Sequence, residues 1–227
     1  MQKVTHSEYI AQKKPLAKQL LAKLNEKYQY ASVLITDNYE KGYRASRSGV
    51  AISATNAFGG KGMIVKVYDG KGYAEYSTNE ITAENLPEIE REIEQQLMNP
   101  ANFIPEGAEE AEYKCISDEP CTLCEATDYE IHPREVGDEK LIETVTALRE
   151  KAVKADERIL DAITGFIYQE YHKLFLSANR ELEQSVLYST GIMALVAAKG
   201  EEIKQSFRGF SNLGGAELLD KMESAIP

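Results

Sequence analysis

The chain has 227 residues, a formal net charge of −11 and a pI near 4.9. That acidity argues against nucleic acid as a partner, because phosphate binding needs clustered Lys and Arg. Hydrophobic residues at 43% and charged residues at 28% are a globular balance, enough to bury a core and unlike a disordered chain.

Residues 1–14 are polar and mixed in charge, without the apolar run of a signal peptide. No window holds the roughly 20 apolar residues of a membrane-spanning helix. Three cysteines do not make a secreted disulfide framework, so the expected location is the cytoplasm, with no membrane partner. Residues 15–28 place Leu16, Leu20, Leu21 and Leu24 on one stripe and predict an amphipathic helix. Residues 31–39 and 43–53 read as strands joined by a turn at Glu40-Lys41-Gly42. Residues 62–68 are apolar and β-branched, Asp69-Gly70 is a hairpin signal, and 71–77 returns as the partner strand. After Thr82, Leu86, Ile89, Ile93 and Leu97 align on a second helix. Residues 106–139 are rich in Asp and Glu with no regular apolar spacing, which reads as a solvated acidic connector.

The order then recurs. Residues 139–155 predict a helix with Leu141, Ile142, Val145 and Leu148 aligned; 158–168 and 171–179 read as strands. Residues 191–198 are apolar, Lys199-Gly200 takes the hairpin position, 201–210 runs back, and 216–222 closes as a short helix. Gly62 and Gly191 are 129 residues apart, Gly70 and Gly200 130, and Gly49 and Asn179 130. Allowing a few extra residues in the second copy, Ser77-Thr78-Asn79 faces Phe210-Ser211-Asn212. Turn-forming residues held at so constant an offset predict an α+β fold, internally duplicated. Each unit is a helix on a short antiparallel sheet: a first repeat at about 15–98, a connector at about 99–138 and a second repeat at about 139–227.

Chemistry is sparse. None of His6, His132 and His172 is followed by Glu, so no H-E-x-x-H pattern is present, and they read as ordinary surface or half-buried histidines. Cys115, Cys121 and Cys124 form C-x5-C-x2-C, with His132 eight residues beyond. Soft thiolates at that spacing can hold a structural zinc, and these four would complete a tetrahedral set that orders the connector. Free thiols are the other reading. Gly59-Gly60-Lys61-Gly62 lacks the P-loop pattern and feeds a strand, and Ser46 and Ser48 have no nucleophile-elbow context. No catalytic or cofactor-binding residue is assigned.

Three stretches carry a family resemblance. They are YASVLITDNYEKGYRASRSGVAISATN, then GMIVKVYDGKGYAEYSTNEITAENLPEIEREI, then GIMALVAAKGEEIKQSFRGFSNLGGAELL. Within them Arg47-Ser48-Gly49 matches a small-residue-Gly turn, Val65 to Gly70 a V-x-V-x-D-G hairpin, and Tyr76-Ser77-Thr78-Asn79 an aromatic-small-Ser-Thr-Asn ending. With these the chain resembles the N-terminal domain of the TldD/PmbA family, often labelled modulators of DNA gyrase. The resemblance implies a dimeric zinc metallopeptidase acting on unfolded peptides. Its metal is held by a His-Glu-x-x-x-His helix and a later cysteine, and its N-terminal domain roofs the active-site cavity. In heterodimeric versions one subunit type lacks the metal motif. The sequence reaches Pro227 without that helix, so the catalytic C-terminal domain and its zinc are expected outside these residues. Cys115, Cys121 and Cys124 do not match the family's cysteine ligand. The resemblance therefore implies a domain that gates substrate without cleaving it; the alternative is a non-catalytic partner subunit or a peptide- or protein-binding module, a gyrase modulator included.

Overall fold

The chain enters through a two-residue strand, β1 (Gln2–Lys3), and turns at Ser7 into α1 (Glu8–Lys27). The Ser7 hydroxyl accepts from the Ile10 amide, and Glu8 and Lys27 sit at the ends of the helix dipole that favour them. The helix thus begins seven residues before Pro15, the residue expected to start it. The proline's missing N–H costs a hydrogen bond inside the helix. The cap and the burial of Ile10, Ala17, Leu20, Leu21 and Leu24 outweigh it, at about 1.5–3 kcal/mol for each large side chain.

In this computed structural model residues 1–54, 60–98 and 113–227 are described. After α1 come β2 (Tyr30–Ser46), β3 (Gly49–Ala54), β4 (Gly60–Tyr68), β5 (Tyr73–Thr78) and α2 (Leu86–Met98). Then follow β6 (Cys121–Ala126), β7 (Asp128–Tyr129), α3 (Pro133–Val136) and α4 (Asp138–Lys154). The chain closes with β8 (Ile159–Ser177), β9 (Arg180–Lys199), β10 (Glu202–Leu213) and α5 (Leu218–Glu223). The fold is α+β.

Eight strands form one sheet. Its main path runs β10-β9-β8-β2-β4-β5, with β3 added on β2 and β6 on β9. All pairs are antiparallel except β6–β9. At its centre β2 and β8 pair from Ser32 opposite Ser177 to Ala45 opposite Thr164.

Several sequence expectations need correction. No turn interrupts Glu40-Lys41-Gly42; β2 runs on to Ser46, and the chain reverses at Arg47-Ser48 before Gly49, whose φ is 125°. Gly42 serves packing instead, because a Cβ there would come within 2.8 Å of the Ser53 hydroxyl and 3.1 Å of Ile167. The strands expected at 158–168 and 171–179 are one strand, β8, and the two halves share one sheet of long strands rather than building a short sheet each. Gly70 and Gly200 do hold the left-handed turn positions, at φ 101° and 63°, whereas Asn179 has a negative φ. In the connector, 99–112 lies outside the described residues, as does 55–59 with Gly59. The described remainder is not merely solvated: β6 pairs with β9, β7 pairs with β1, and Tyr129 is buried.

Burial alternates along the strands, so the sheet has two unlike faces. One carries the helices. Under α1 and α2, Val33, Ile35, Val65, Leu174 and Leu176 meet Leu20, Leu24, Ile89 and Ile93. Under α4 and α5, Tyr43, Ala45, Phe166 and Tyr168 meet Leu141, Val145, Leu218 and Met222. On the other face Ile64, Leu123, Ile167, Ile203, Phe207 and Leu213 stand exposed. No helix among the described residues is long and apolar enough to cross a membrane.

Candidate functional site

The two apolar clusters do not merge. Between them, on the helix-bearing face, β2 contributes Asp37 and Tyr39, and β8 contributes Glu170 and His172. The register sets Asp37 opposite His172 and Tyr39 opposite Glu170. The start of α1 overhangs this polar seam from one side and α3 from the other. They enclose a cleft of about 610 Å3 whose lining includes His6, Tyr9, Asp37, Lys61, His132, Arg134, Glu170 and His172. All three histidines of the chain therefore converge here.

Glu170 is the focus, at 6% exposed. Arg134 Nε approaches its Oε1 to 2.8 Å, off the hydrogen-bond line, and His132 Nε2 stands 3.7 Å from the same oxygen. His172 Nε2 lies 3.6 Å from Oε2. Burial pushes the Glu170 carboxyl up, but His172, Arg134 and His132 together outweigh it and hold the group below its ordinary value. Arg134 also stacks over the Tyr39 ring at 4.3 Å, and His132 meets the Tyr129 ring edge-on at 5.1 Å.

Across the seam, Ser7 Oγ donates to Asp37 Oδ2 at 2.6 Å, while Lys61 reaches Asp37 Oδ1 at 4.0 Å and lies 5.0 Å over the Tyr9 ring. The Tyr9 hydroxyl is buried with no hydrogen-bond partner among the described residues. Burial and the nearby Asp37 push its ionisation upward, so Tyr9 stays a neutral phenol. Ser185 Oγ sits 2.9 Å from His172 Nδ1 and 2.9 Å from His6 Nδ1, and His6 Nε2 lies 3.4 Å from Cys124 Sγ. Lys14 binds Glu181 and Glu183, both at 2.8 Å, and bonding to these two carboxylates raises its pKa.

The four sequence-flagged zinc ligands are not brought together. All three thiols are exposed and unbridged. Cys115 donates to the Ile116 carbonyl, and Cys121 and Cys124, three apart on β6, point to opposite faces. His132 instead caps α3: its Nδ1 accepts the Arg134 backbone N–H at 3.2 Å, which leaves its proton on Nε2, facing Glu170. That nitrogen offers a donor, and the Arg134 cation already faces the same carboxylate. Among the described residues no group of three or more His, Cys, Asp or Glu is placed to hold a metal. His172, expected at the surface or half-buried, is 8% exposed. Lys61 and Gly62 lie in β4, and Ser46 bonds Ser48 at 2.9 Å within the β2–β3 turn. The seam itself had one local signal, the two-residue spacing of Glu170 and His172 on a strand. The rest comes from distant parts of the sequence.

No family model matches the chain, and no curated protein sequence matches it. Solved structures do. One from Thermotoga maritima, described as a candidate modulator of a DNA gyrase, is 13% identical, with a TM-score of 0.69 over 94% of this chain and 46% of its own. A second protein so described, from Bacteroides thetaiotaomicron, is 16% identical, with a TM-score of 0.63 over 95% of this chain and 49% of its own. The chain shares its fold with the TldD/PmbA proteins. TldE from Thermococcus kodakarensis agrees, at 13% identity and a TM-score of 0.58 over 93% of this chain and 47% of its own. The chain spans about half the length of each of these three structures.

Proposed function

We propose that this chain is the N-terminal, substrate-gating domain of a TldD/PmbA-like zinc metallopeptidase that acts on unfolded peptides in the cytoplasm, and that it is not catalytic alone. The observation that carries the proposal is the fold match, which takes in more than nine-tenths of this chain and less than half of each matched structure. In this reading zinc and the residues that bind it belong to a further C-terminal domain, and the full protein works as a homo- or heterodimer. The outer edge of β10 and the helix-free face beside it suit an extended substrate. A peptide adding as a strand would be held by backbone hydrogen bonds, with Ile203, Phe207 and Leu213 offering sequence-tolerant apolar contact. We also infer an internal duplication. In its favour, each half supplies a long helix followed by a long strand, and those two strands, β2 and β8, lie antiparallel at the sheet centre.

A second reading is a non-catalytic partner subunit, which extends to a free-standing peptide- or protein-binding module and to the gyrase-modulator role in the names of two of the matched proteins. The reading frame beyond codon 227 separates these. A His-Glu-x-x-x-His helix there, with zinc-dependent cleavage of an unfolded protein by the full product and none by residues 1–227, is the expected result. A frame that continues without the motif favours the partner subunit. An immediate stop codon, or cleavage by residues 1–227 alone, overturns the gating proposal.

A further inference from the structure

The seam contains a second arrangement, independent of the gating proposal. We propose that Cys124 is a nucleophilic thiol with His6 as its base, and that it is a site of covalent modification by small-molecule disulfides. A nucleophile within reach of a base that a third group orients is the general arrangement of an activated side chain. Cys124 is exposed on β6, on the helix-bearing face, where its register partner is Glu183. Its Sγ lies 3.4 Å from His6 Nε2. Glu183 Oε1 stands 3.6 Å from His6 Nδ1, and Ser185 Oγ 2.9 Å from that same nitrogen.

The direction of the hydrogen bonds follows from their far end. The Glu170 carboxylate can only accept, so the His172 proton sits on Nε2, facing it. His172 Nδ1 is then an acceptor and takes the Ser185 hydroxyl proton at 2.9 Å. The Ser185 oxygen in turn accepts from His6 Nδ1–H. That leaves a lone pair on His6 Nε2, aimed at the Cys124 thiol. Ser185 is 1% exposed, so solvent does not compete for its hydroxyl. A cleft-side carboxylate thus fixes the tautomer of a histidine two hydrogen bonds and one ion-pair contact away.

The small-molecule disulfide is itself the oxidant, so the chemistry balances. His6 Nε2 takes the thiol proton, and the Cys124 sulfur attacks one sulfur of R–S–S–R. The new bond is Cys124–S–S–R, the old S–S bond breaks, and the departing thiolate receives the proton from His6 Nε2. The Cys124 sulfur is oxidised and the leaving sulfur reduced. Cys121 cannot resolve the adduct, because residues three apart on a strand have Cα atoms about 10 Å apart, beyond the reach of about 7 Å that a disulfide allows. Cys121 therefore leaves the mixed disulfide in place, and an external thiol removes it.

The test treats the folded chain with bis(hydroxyethyl) disulfide and follows each cysteine by peptide mass spectrometry. Cys115 and Cys121 serve as exposed controls within the same molecule. Cys124 is expected to gain the adduct about tenfold faster than either, or more, as befits a positioned base. His6→Gln should bring Cys124 to their level without changing their own rates, and a urea-unfolding midpoint equal to the parent's reports an intact fold. Concentrated urea should abolish the preference in the parent chain, which supplies a check that needs no variant. Equal rates at the three thiols in the folded parent, a preference that survives His6→Gln, or one that survives urea would each overturn the proposal.

Discussion

Replacing Glu170 with Gln removes the charge at the centre of the seam while keeping its shape. Taking one partner from a fully buried ion pair costs about 3–5 kcal/mol. Here the cost is smaller, because the Arg134 side chain is 51% exposed and can turn into water, leaving about 1 kcal/mol for that contact. The two histidine contacts, at 3.6 and 3.7 Å, are long and add about 1 kcal/mol together. The variant should therefore lose about 2 kcal/mol in urea unfolding near neutral pH. The pH dependence has a definite sign. The folded carboxyl titrates below the ordinary value of 4.5, so its pairing contributes fully above that value and is lost as pH falls through the folded one. The gap between parent and variant should thus hold at neutral pH and close as pH falls through the lowered Glu170 value. A variant as stable as the parent at neutral pH would refute this account of the seam, as would a deficit undiminished in acid.

Other expectations follow from packing and geometry. Gly215→Ala should destabilise by about 2 kcal/mol or more, because its Cβ would fall 2.0 Å from the Ile131 carbonyl oxygen, whereas Gly72→Ala meets nothing within 4 Å and should be nearly neutral in the same melts. Phe166→Ala, at the fully buried centre of the α4 cluster, should cost about 3–5 kcal/mol. Phe207→Ala, 69% exposed on β10, should change stability by less than about 0.5 kcal/mol, and a larger loss would mean that the helix-free face is covered in solution. All three thiols should titrate freely in purified residues 1–227, with no stoichiometric zinc by elemental analysis. One zinc per chain, with the thiols protected, would restore the C-x5-C-x2-C reading.

What local sequence fixed was the kind and order of the elements. Apolar residues at helical spacing, such as Leu20, Leu24, Ile89 and Ile93, became the buried stripes of α1 and α2, and Gly70 and Gly200 took the positive-φ turn positions. Periodicity and turn chemistry are short-range properties, so residues within a few positions of one another reveal them. Strand lengths were not legible in the same way. Gly42 looks like a turn residue in sequence, yet it lies in a continuous β2, where close side chains on two other strands favour glycine. The seam depended on tertiary structure almost entirely. His6 and Ser185 are 179 residues apart, and Cys124 and His6 118. Glu170 reaches Arg134 only because α3 overhangs the seam that β2 and β8 build. Which polar side chains meet is decided by the register of distant strands and by where helices begin over them, and no local pattern of residues carries that information.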